Sequence, residues 1–290
     1  MTIKTIAKKA IKLIFAKRPV YTTANIVILA PNELLKGRFA LITGGTSGIG
    51  YSIAELFLKS GASVCITGRN QEKIDDACNK LKLIDSAYKE HVYGMVLDSR
   101  NISSYASVID CILKLEGKID ILVNNAGVLG GHISNATEEE YDNVLDTNLK
   151  GTFFLSQMIG KYMKEHHIKG NILNIASSSS IRPAASAYTI SKWGIRGLTL
   201  GLAKSLLPYG ITVNGVAPGP TVTPMLMKED RHNITHNSLP VGRYVMPEEI
   251  ANMALFLVSD MGRMIVGDIV YMTGGAGLLT FDDMKYNFLF

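Results

Sequence analysis

"FALITGGTSGIGYSIAELFLKSGASVCITGRN", residues 39–70, opens on a short apolar run and turns through Gly44, Gly48 and Gly50. It then enters a helix-patterned segment and ends in a second apolar run. Short apolar runs bounded by turn residues have the pattern of buried strands, whereas "IAELFLKSG" (53–61) repeats its apolar side chains at helical spacing. Strand, glycine turn, helix and strand in succession make a βαβ unit, whose two strands lie parallel in one sheet.

The alternation continues. "FALIT" (39–43) and "SVCIT" (63–67) are followed by "VYGMVL" (92–97), "IDILV" (119–123), "NILNIA" (171–176), "ITVNGV" (211–216) and "DIVYMT" (268–273). These runs are too apolar for strict alternation, which suits strands covered on both faces. Helical segments lie between them; "PEEIANMALFLVSD" (247–260) begins with Pro247 and two acids, as a helix start should. The expected fold is therefore α/β, a doubly wound parallel sheet of about seven strands. We expect one catalytic domain over residues 37–277, with an N-terminal extension over 1–36 and a C-terminal tail over 278–290.

Bulk composition narrows the classes. A chain of 290 residues, 47% hydrophobic and 19% charged, can bury one large core. No apolar run approaches the roughly 18 residues that span a bilayer. Cys65, Cys78 and Cys111 are odd in number and form no C-x-x-C pair, which points to reduced thiols in a cytoplasmic protein. The six histidines show no ligand spacing, so no metal is expected.

Residues 1–18, "MTIKTIAKKAIKLIFAKR", carry six basic side chains and no acid, against +5 for the whole chain. The body is thus near neutral, and no nucleic-acid surface is implied. Within this segment Ile3, Ile6, Ala7, Ala10, Ile11 and Ile14 share one helical face. Such a basic amphipathic helix can make peripheral contact with an anionic membrane at the inner surface, or pack on this protein or a second subunit. Lysines interrupt any core that a secretory signal would need.

The glycine turn has its own chemistry. Gly44, Gly48 and Gly50 permit a tight loop, close approach of backbone N–H groups to an anion, and close packing of helix on sheet. With Thr46, Ser47 and Ile49 they form the expected cradle for a dinucleotide pyrophosphate, one residue longer than G-x-G-x-x-G. About 20 residues on, a fold of this kind sets an acid for the ribose of NAD or an arginine for the 2′-phosphate of NADP. Arg69 stands there and the nearest acid, Glu72, is already in the next helix, so NADP(H) is favoured over NAD(H).

Further motifs follow in order: T-G-x-x-x-G-I-G at 43–50, N-N-A-G at 124–127, Asn148 in "TNLKG", a serine after the fifth strand, Y-x-x-x-K at 188–192 and P-G at 218–219. Over roughly residues 36–277 the chain resembles the short-chain dehydrogenase/reductase family in its shorter, single-domain Rossmann-type branch.

The resemblance implies a reversible, NAD(P)-dependent reduction of a ketone or aldehyde to an alcohol. It gives Tyr188 the role of general acid and base. Lys192, one turn along the same helix face, would lower the tyrosine's pKa and hold the nicotinamide ribose. Ser177, or its neighbour Ser178 in "NIASSSS", would hold the substrate oxygen, and Asn148 a water that resupplies the proton. Asp98 would meet the adenine amino group, although the sequence alone also allows it to cap the following helix. Asn124 would sit under the cofactor and tie strands together, with Ala126 and Gly127 beside the ribose. Pro218, Gly219, Thr221 and Thr223 would form the turn at the nicotinamide.

Substrate choice falls to the segment "MLMKEDRHNITHNSLP" (225–240), where apolar Met225, Leu226 and Met227 precede Arg231, His232 and His236. We expect a small-molecule polyol or sugar-related substrate, with a 3-oxoacyl thioester or hydrophobic ketone as the alternative. A non-catalytic nucleotide-binding scaffold or sensor is the alternative of another class. The family's habit implies a homodimer or homotetramer.

Overall fold

The computed structural model describes residues 33–227, 234–237 and 239–277. Seven parallel strands form one sheet: β1 Phe39–Ile42, β2 Ser63–Gly68, β3 Val92–Val96, β4 Ile121–Asn124, β5 Asn171–Ile175, β6 Thr212–Pro218 and β7 Ile269–Met272. Their order is β3-β2-β1-β4-β5-β6-β7. The helices are α1 Gly48–Lys59, α2 Gln71–Lys82, α3 Tyr105–Glu116, α4 Glu138–Leu145, α5 Gly151–Glu165, α6 Ala187–Leu206 and α7 Pro247–Val258.

Successive strand residues point to opposite faces, and both faces are buried. Ala40 and Ile42 of β1 join Val64, Ile66 and Val123 in one core, closed by Phe57 of α1, Ile74 of α2 and Ile250 of α7. Phe39 and Leu41 join Cys65 and Leu122 in the other core, closed by Ile112 of α3, Ile159 of α5 and Ala203 of α6. The strand runs lack alternation for this reason. Leu41 pairs with Cys65 on one side and with Leu122 on the other, so β1 lies where the chain reverses its direction of winding. A doubly wound sheet leaves a crevice there, outside the carboxyl ends of its strands.

Two strand ends differ from the sequence expectation by two residues, and the others by at most one. β4 starts at Ile121, because the Asp120 side chain is engaged outside the ladder and accepts the Phe39 N–H at 2.8 Å. β6 runs on to Pro218, still paired with Met272, so the Pro-Gly turn caps a strand.

At the opposite edge of the sheet, Arg38 donates to the carbonyls of Val258 (2.6 Å) and Asp120 (3.2 Å) and to Asn171 Oδ1 (2.5 Å). Between α4 and α5 the backbone forms a π-turn, Asp146–Lys150. Among the described residues no helix is long and apolar enough to cross a membrane, and no group of three or more His, Cys, Asp or Glu could hold a metal ion. The basic segment 1–18, the tail 278–290, and Arg231 and His232 lie outside the described residues.

Candidate active site

The loop after β1 has the conformation its glycines imply. Gly44 has φ +64° and Gly48 φ +56°, in the left-handed region that side chains avoid. Ser47 caps α1 with an extended backbone and no side-chain bond, and the first turn carries no acid. The leading N–H groups of the helix therefore remain available to an anion.

Asn125 staples this loop to the sheet. Its Nδ2 donates to the carbonyls of Thr43 and Gly44, both at 2.9 Å. Thr43 Oγ1 in turn accepts the N–H groups of Asn125 (3.0 Å) and Ala126 (3.1 Å). A Cβ on Gly50 would collide with the Asn125 amide and come within 2.6 Å of the Gly44 carbonyl oxygen. The glycine here admits the staple.

At one end of the cleft Arg69 is exposed just past β2, with no hydrogen bond to any described residue. Asp98 lies opposite, its carboxylate gripped by Arg100 through Nη2 (2.6 Å) and Nε (3.0 Å). The Arg100 hydrogen bonds hold the Asp98 carboxyl below its ordinary range. Arg100 also reaches Asn143 of α4 at 3.1 Å. The helix-cap reading of Asp98 is not what the structure shows, since Ser104 precedes α3 and Asp98 is turned to Arg100.

At the other end Ser186 caps α6 through its hydroxyl, which accepts the Thr189 N–H at 3.2 Å and starts the helix just before Tyr188. Tyr188 and Lys192 share a face, with the Lys192 Nζ 5.6 Å from the tyrosine ring centre. Lys192 is 5% exposed and donates to the Ile175 carbonyl at 2.8 Å. Burial pushes this ammonium down to about 8. Tyr188 differs from the expectation of a lowered phenol: burial raises it above 10, and a hydrogen bond with Ser177 offsets only part of the rise. The physical reason is that desolvation acts on both groups, while the lysine's charge is directed at a backbone carbonyl.

Ser177 follows β5 and accepts the Ser179 N–H at 3.1 Å. Ser178 is buried beside it on the same wall. Asn148 lies in the π-turn, 1% exposed, with its amide committed: Oδ1 accepts from Val128 N–H (2.8 Å), while Nδ2 donates to the Val128 carbonyl (3.0 Å) and to Ser191 Oγ (3.1 Å). Ser191 passes the connection on by donating to the Tyr188 carbonyl at 2.6 Å.

A cleft of about 520 Å³ joins the two ends. Its glycine-loop wall carries Gly44, Thr46, Ser47, Gly48 and Ile49; Ala126 and Gly127 follow from β4. Pro218, Gly219, Thr221 and Thr223 face them, and Ser177, Tyr188 and Lys192 close the far end. Three expected residues lie behind the wall rather than on it: Gly50, Asn148 and Asn124. The last is buried at the end of β4, where it donates to Ser156 Oγ and Asn174 Oδ1, both at 2.8 Å.

Sequence reasoning missed Asn125, Ser99, Thr147 and Leu129, which also line the cleft. The doubled Asn-Asn was the available signal for Asn125, since neighbours at a strand end face opposite ways. A long cleft with an anion-ready loop midway, an arginine at one end and a half-buried tyrosine beside a buried lysine at the other fits a nicotinamide dinucleotide.

Comparison with known proteins agrees with this geometry. A family model described as enoyl-(acyl carrier protein) reductase matches residues 44–277. A 3alpha-hydroxysteroid dehydrogenase of Mediterraneibacter gnavus is 37% identical over 248 residues, 84% of this chain and 98% of that protein. The crystal structure of a 3-ketoacyl-(acyl-carrier-protein) reductase from Brucella melitensis complexed with NADH superposes with a TM-score of 0.76 at 29% identity, covering 84% of this chain and all (100%) of that one. A short chain dehydrogenase from Burkholderia cenocepacia in complex with NADP gives 0.74 at 31% identity, over 83% and 98% of the two chains.

Proposed function

The chain belongs to the short-chain dehydrogenase/reductase family, whose members act on CH–OH and C=O groups, and on that premise we propose that it interconverts an apolar ketone and its secondary alcohol with NADP(H). The observation that carries the reading is the placing of Ser177, Tyr188 and Lys192 at one end of a cleft whose other end carries Arg69. The glycine loop would hold the pyrophosphate and Arg69 the 2′-phosphate, with no cleft acid other than Asp98, which Arg100 already engages. When bound, the nicotinamide supplies or takes up the hydride.

The chain's own residues handle the proton and the charge. Tyr188, raised by burial, is protonated at neutral pH and so is set to donate to a carbonyl oxygen. Ser177 can hydrogen-bond the same oxygen and stabilise its developing charge. Lys192, at about 8, is mostly cationic at pH 7 and adds a positive field behind the tyrosine. Asn148 and Ser191 fix the helix turn that carries Tyr188.

The substrate class follows from the entrance. Leu129, Met225 and Leu226 line the cleft and stay about half exposed, at 49%, 46% and 48%. Apolar side chains at a binding mouth gain by covering an apolar ligand. This favours the hydrophobic-ketone alternative over a polyol or sugar, and the names of the hydroxysteroid and ketoacyl relatives support it.

The test is a carbonyl panel of cyclic and steroid-like ketones, 3-oxoacyl thioesters and sugars, each with NADPH and NADH, following loss of reduced-nicotinamide absorbance. Apolar ketones with NADPH should turn over fastest. Tyr188→Phe should cut kcat by on the order of 10²–10⁴ while leaving dinucleotide affinity nearly intact. Preference for sugars would overturn the substrate class, and dinucleotide binding without any turnover would favour the scaffold.

A further inference from the structure

Ser177 takes its direction from the turn that follows it. Its Oγ accepts the Ser179 N–H, so its own hydrogen is left to be donated, and where that hydrogen points depends on where the turn sits. The short helical turn Ser178–Ile181 is tied back to Ser177 twice by one residue. The Ser177 carbonyl accepts the Ser180 N–H at 2.9 Å and the Ser180 hydroxyl at 2.8 Å.

Ser180 is 0% exposed and lies behind the cleft wall. Its Oγ is also 3.0 Å from the hydroxyl oxygen of Tyr271, half-buried on β7. A carbonyl can only accept, so the single Ser180 hydrogen goes to Ser177, and Tyr271 must be the donor to Ser180. The result is a directed chain, Tyr271 O–H to Ser180 O–H to the Ser177 carbonyl, in which each bond polarises the next. The far end of the turn is held separately, where Trp193 Nε1 donates to the Arg182 carbonyl at 2.8 Å.

The same strand reaches the opposite wall of the cleft. The Gly219 N–H donates to the Met272 carbonyl at 2.9 Å, and a Cβ on Gly219 would come within 2.9 Å of the Thr273 Cα. Ser177 and Gly219 both line the cleft, and β7 is a common frame for the turns that carry them.

We propose that Tyr271 is a positioning residue for Ser177: through Ser180 it sets where the serine meets the substrate oxygen, from the strand that also locates the Pro218-Gly219 turn. The inference rests on the reading of Ser177 as the serine that holds that oxygen.

The test is a double-mutant cycle between Ser177→Ala and Tyr271→Phe, the second of which keeps the ring and removes only the hydroxyl. With saturating NADPH and the fastest ketone of the panel, Tyr271→Phe should lower kcat about fivefold, the worth of one neutral hydrogen bond, and leave the NADPH Kd within about twofold. In the Ser177→Ala background the same substitution should change kcat by less than about twofold, because Tyr271 acts through the serine already removed. Ser180→Ala should cost at least as much as Tyr271→Phe, and adding Tyr271→Phe to it should cost nothing further.

An undiminished kcat for Tyr271→Phe would overturn the proposal. So would a loss carried in full into the Ser177→Ala background, which would make Tyr271 a support of the fold at large. Crystals of the Tyr271→Phe protein give a readout that needs no turnover: Ser177 Oγ should move by about 0.5 Å or more relative to Tyr188, beyond the tolerance of a working site. An unmoved Ser177 would overturn the proposal. A wild type that binds NADPH but reduces no carbonyl would remove the proposed activity, and the displacement of Ser177 would still be the expected result.

Discussion

Lys192 is nearly sealed from solvent, and its Nζ is aimed at the Ile175 carbonyl. A buried ammonium loses hydration that one carbonyl does not replace. Its pKa accordingly falls from the ordinary 10.5 to about 8. The sign of the linkage follows: between about 8 and 10.5 the unfolded chain holds a proton that the folded chain has released, so stability rises with pH across that window. Below 8 the cost is fully present, at about 3 kcal/mol from roughly 1.4 kcal/mol per tenfold change in proton affinity. Lys192→Met should thus be more stable than the wild type at pH 7, with the gap closing by pH 10.5, as denaturant midpoints of the two proteins would record. A pH-independent gap would show that the lysine is not depressed. Tyr188 and Lys192 were legible in the sequence because a spacing of four places both on one helix face. Their ionisation was not, because desolvation depends on walls contributed by β5, the serine turn and α6, which no local pattern encodes.

The glycine loop and the strand after it work as one element through Asn125. Its amide bonds to Thr43 and Gly44 hold the loop in the conformation that leaves the N–H groups of α1 open. Asn125→Ala removes both bonds and leaves two carbonyls short of a partner. The expected loss of stability is about 2–3 kcal/mol. Dinucleotide affinity should fall by about tenfold or more, while kcat at saturating cofactor stays close to wild type, because Ser177, Tyr188 and Lys192 belong to other elements. Fluorescence titration with NADPH beside steady-state kinetics checks both, and an unaltered Kd would remove the staple from cofactor binding. At this scale the sequence was most informative. Strands buried on both faces leave continuous apolar runs, and all seven were readable. The edges of β4 and β6 were less so, since Asp120 is apolar-flanked yet works as a side-chain acceptor, and Pro218 is tolerated in the ladder because its neighbour Gly219 donates the bond to the Met272 carbonyl. The π-turn at 146–150 was hidden because "YDNVLDTNLKG" has the look of unbroken helix. Asn148 was legible as a motif residue in "TNLKG", but the turn that places it was not.

The molecule separates support from chemistry along its strands. Every candidate site residue lies at or beyond the carboxyl ends of strands, or on a helix or turn facing them, whereas the amino ends are joined by a polar chain. Arg38 reaches Val258 at the end of α7, the Asp120 carbonyl before β4 and Asn171 at the start of β5; Asn171 Nδ2 continues to Thr212 Oγ1 of β6 at 2.6 Å. One side chain thus connects β1, β4, β5 and the last described helix. Burial lowers the Arg38 pKa and the nearby Asp120 and Asp260 carboxylates offset only part of that, so its partners do not fully replace the lost water. Arg38→Met keeps much of the aliphatic stem and removes the donors. Stability should fall by about 2–4 kcal/mol, because three acceptors lose a charged partner at once. Below the melting transition, NADPH affinity and kcat should stay within about twofold of wild type, because the strands between the two edges are buried on both faces and close-packed. Thermal melting and NADPH titration on the same preparation measure both quantities. If affinity fell along with stability, the carboxyl edge would depend on the amino edge for its geometry, and the cleft would have to be explained by the whole sheet rather than by its loops.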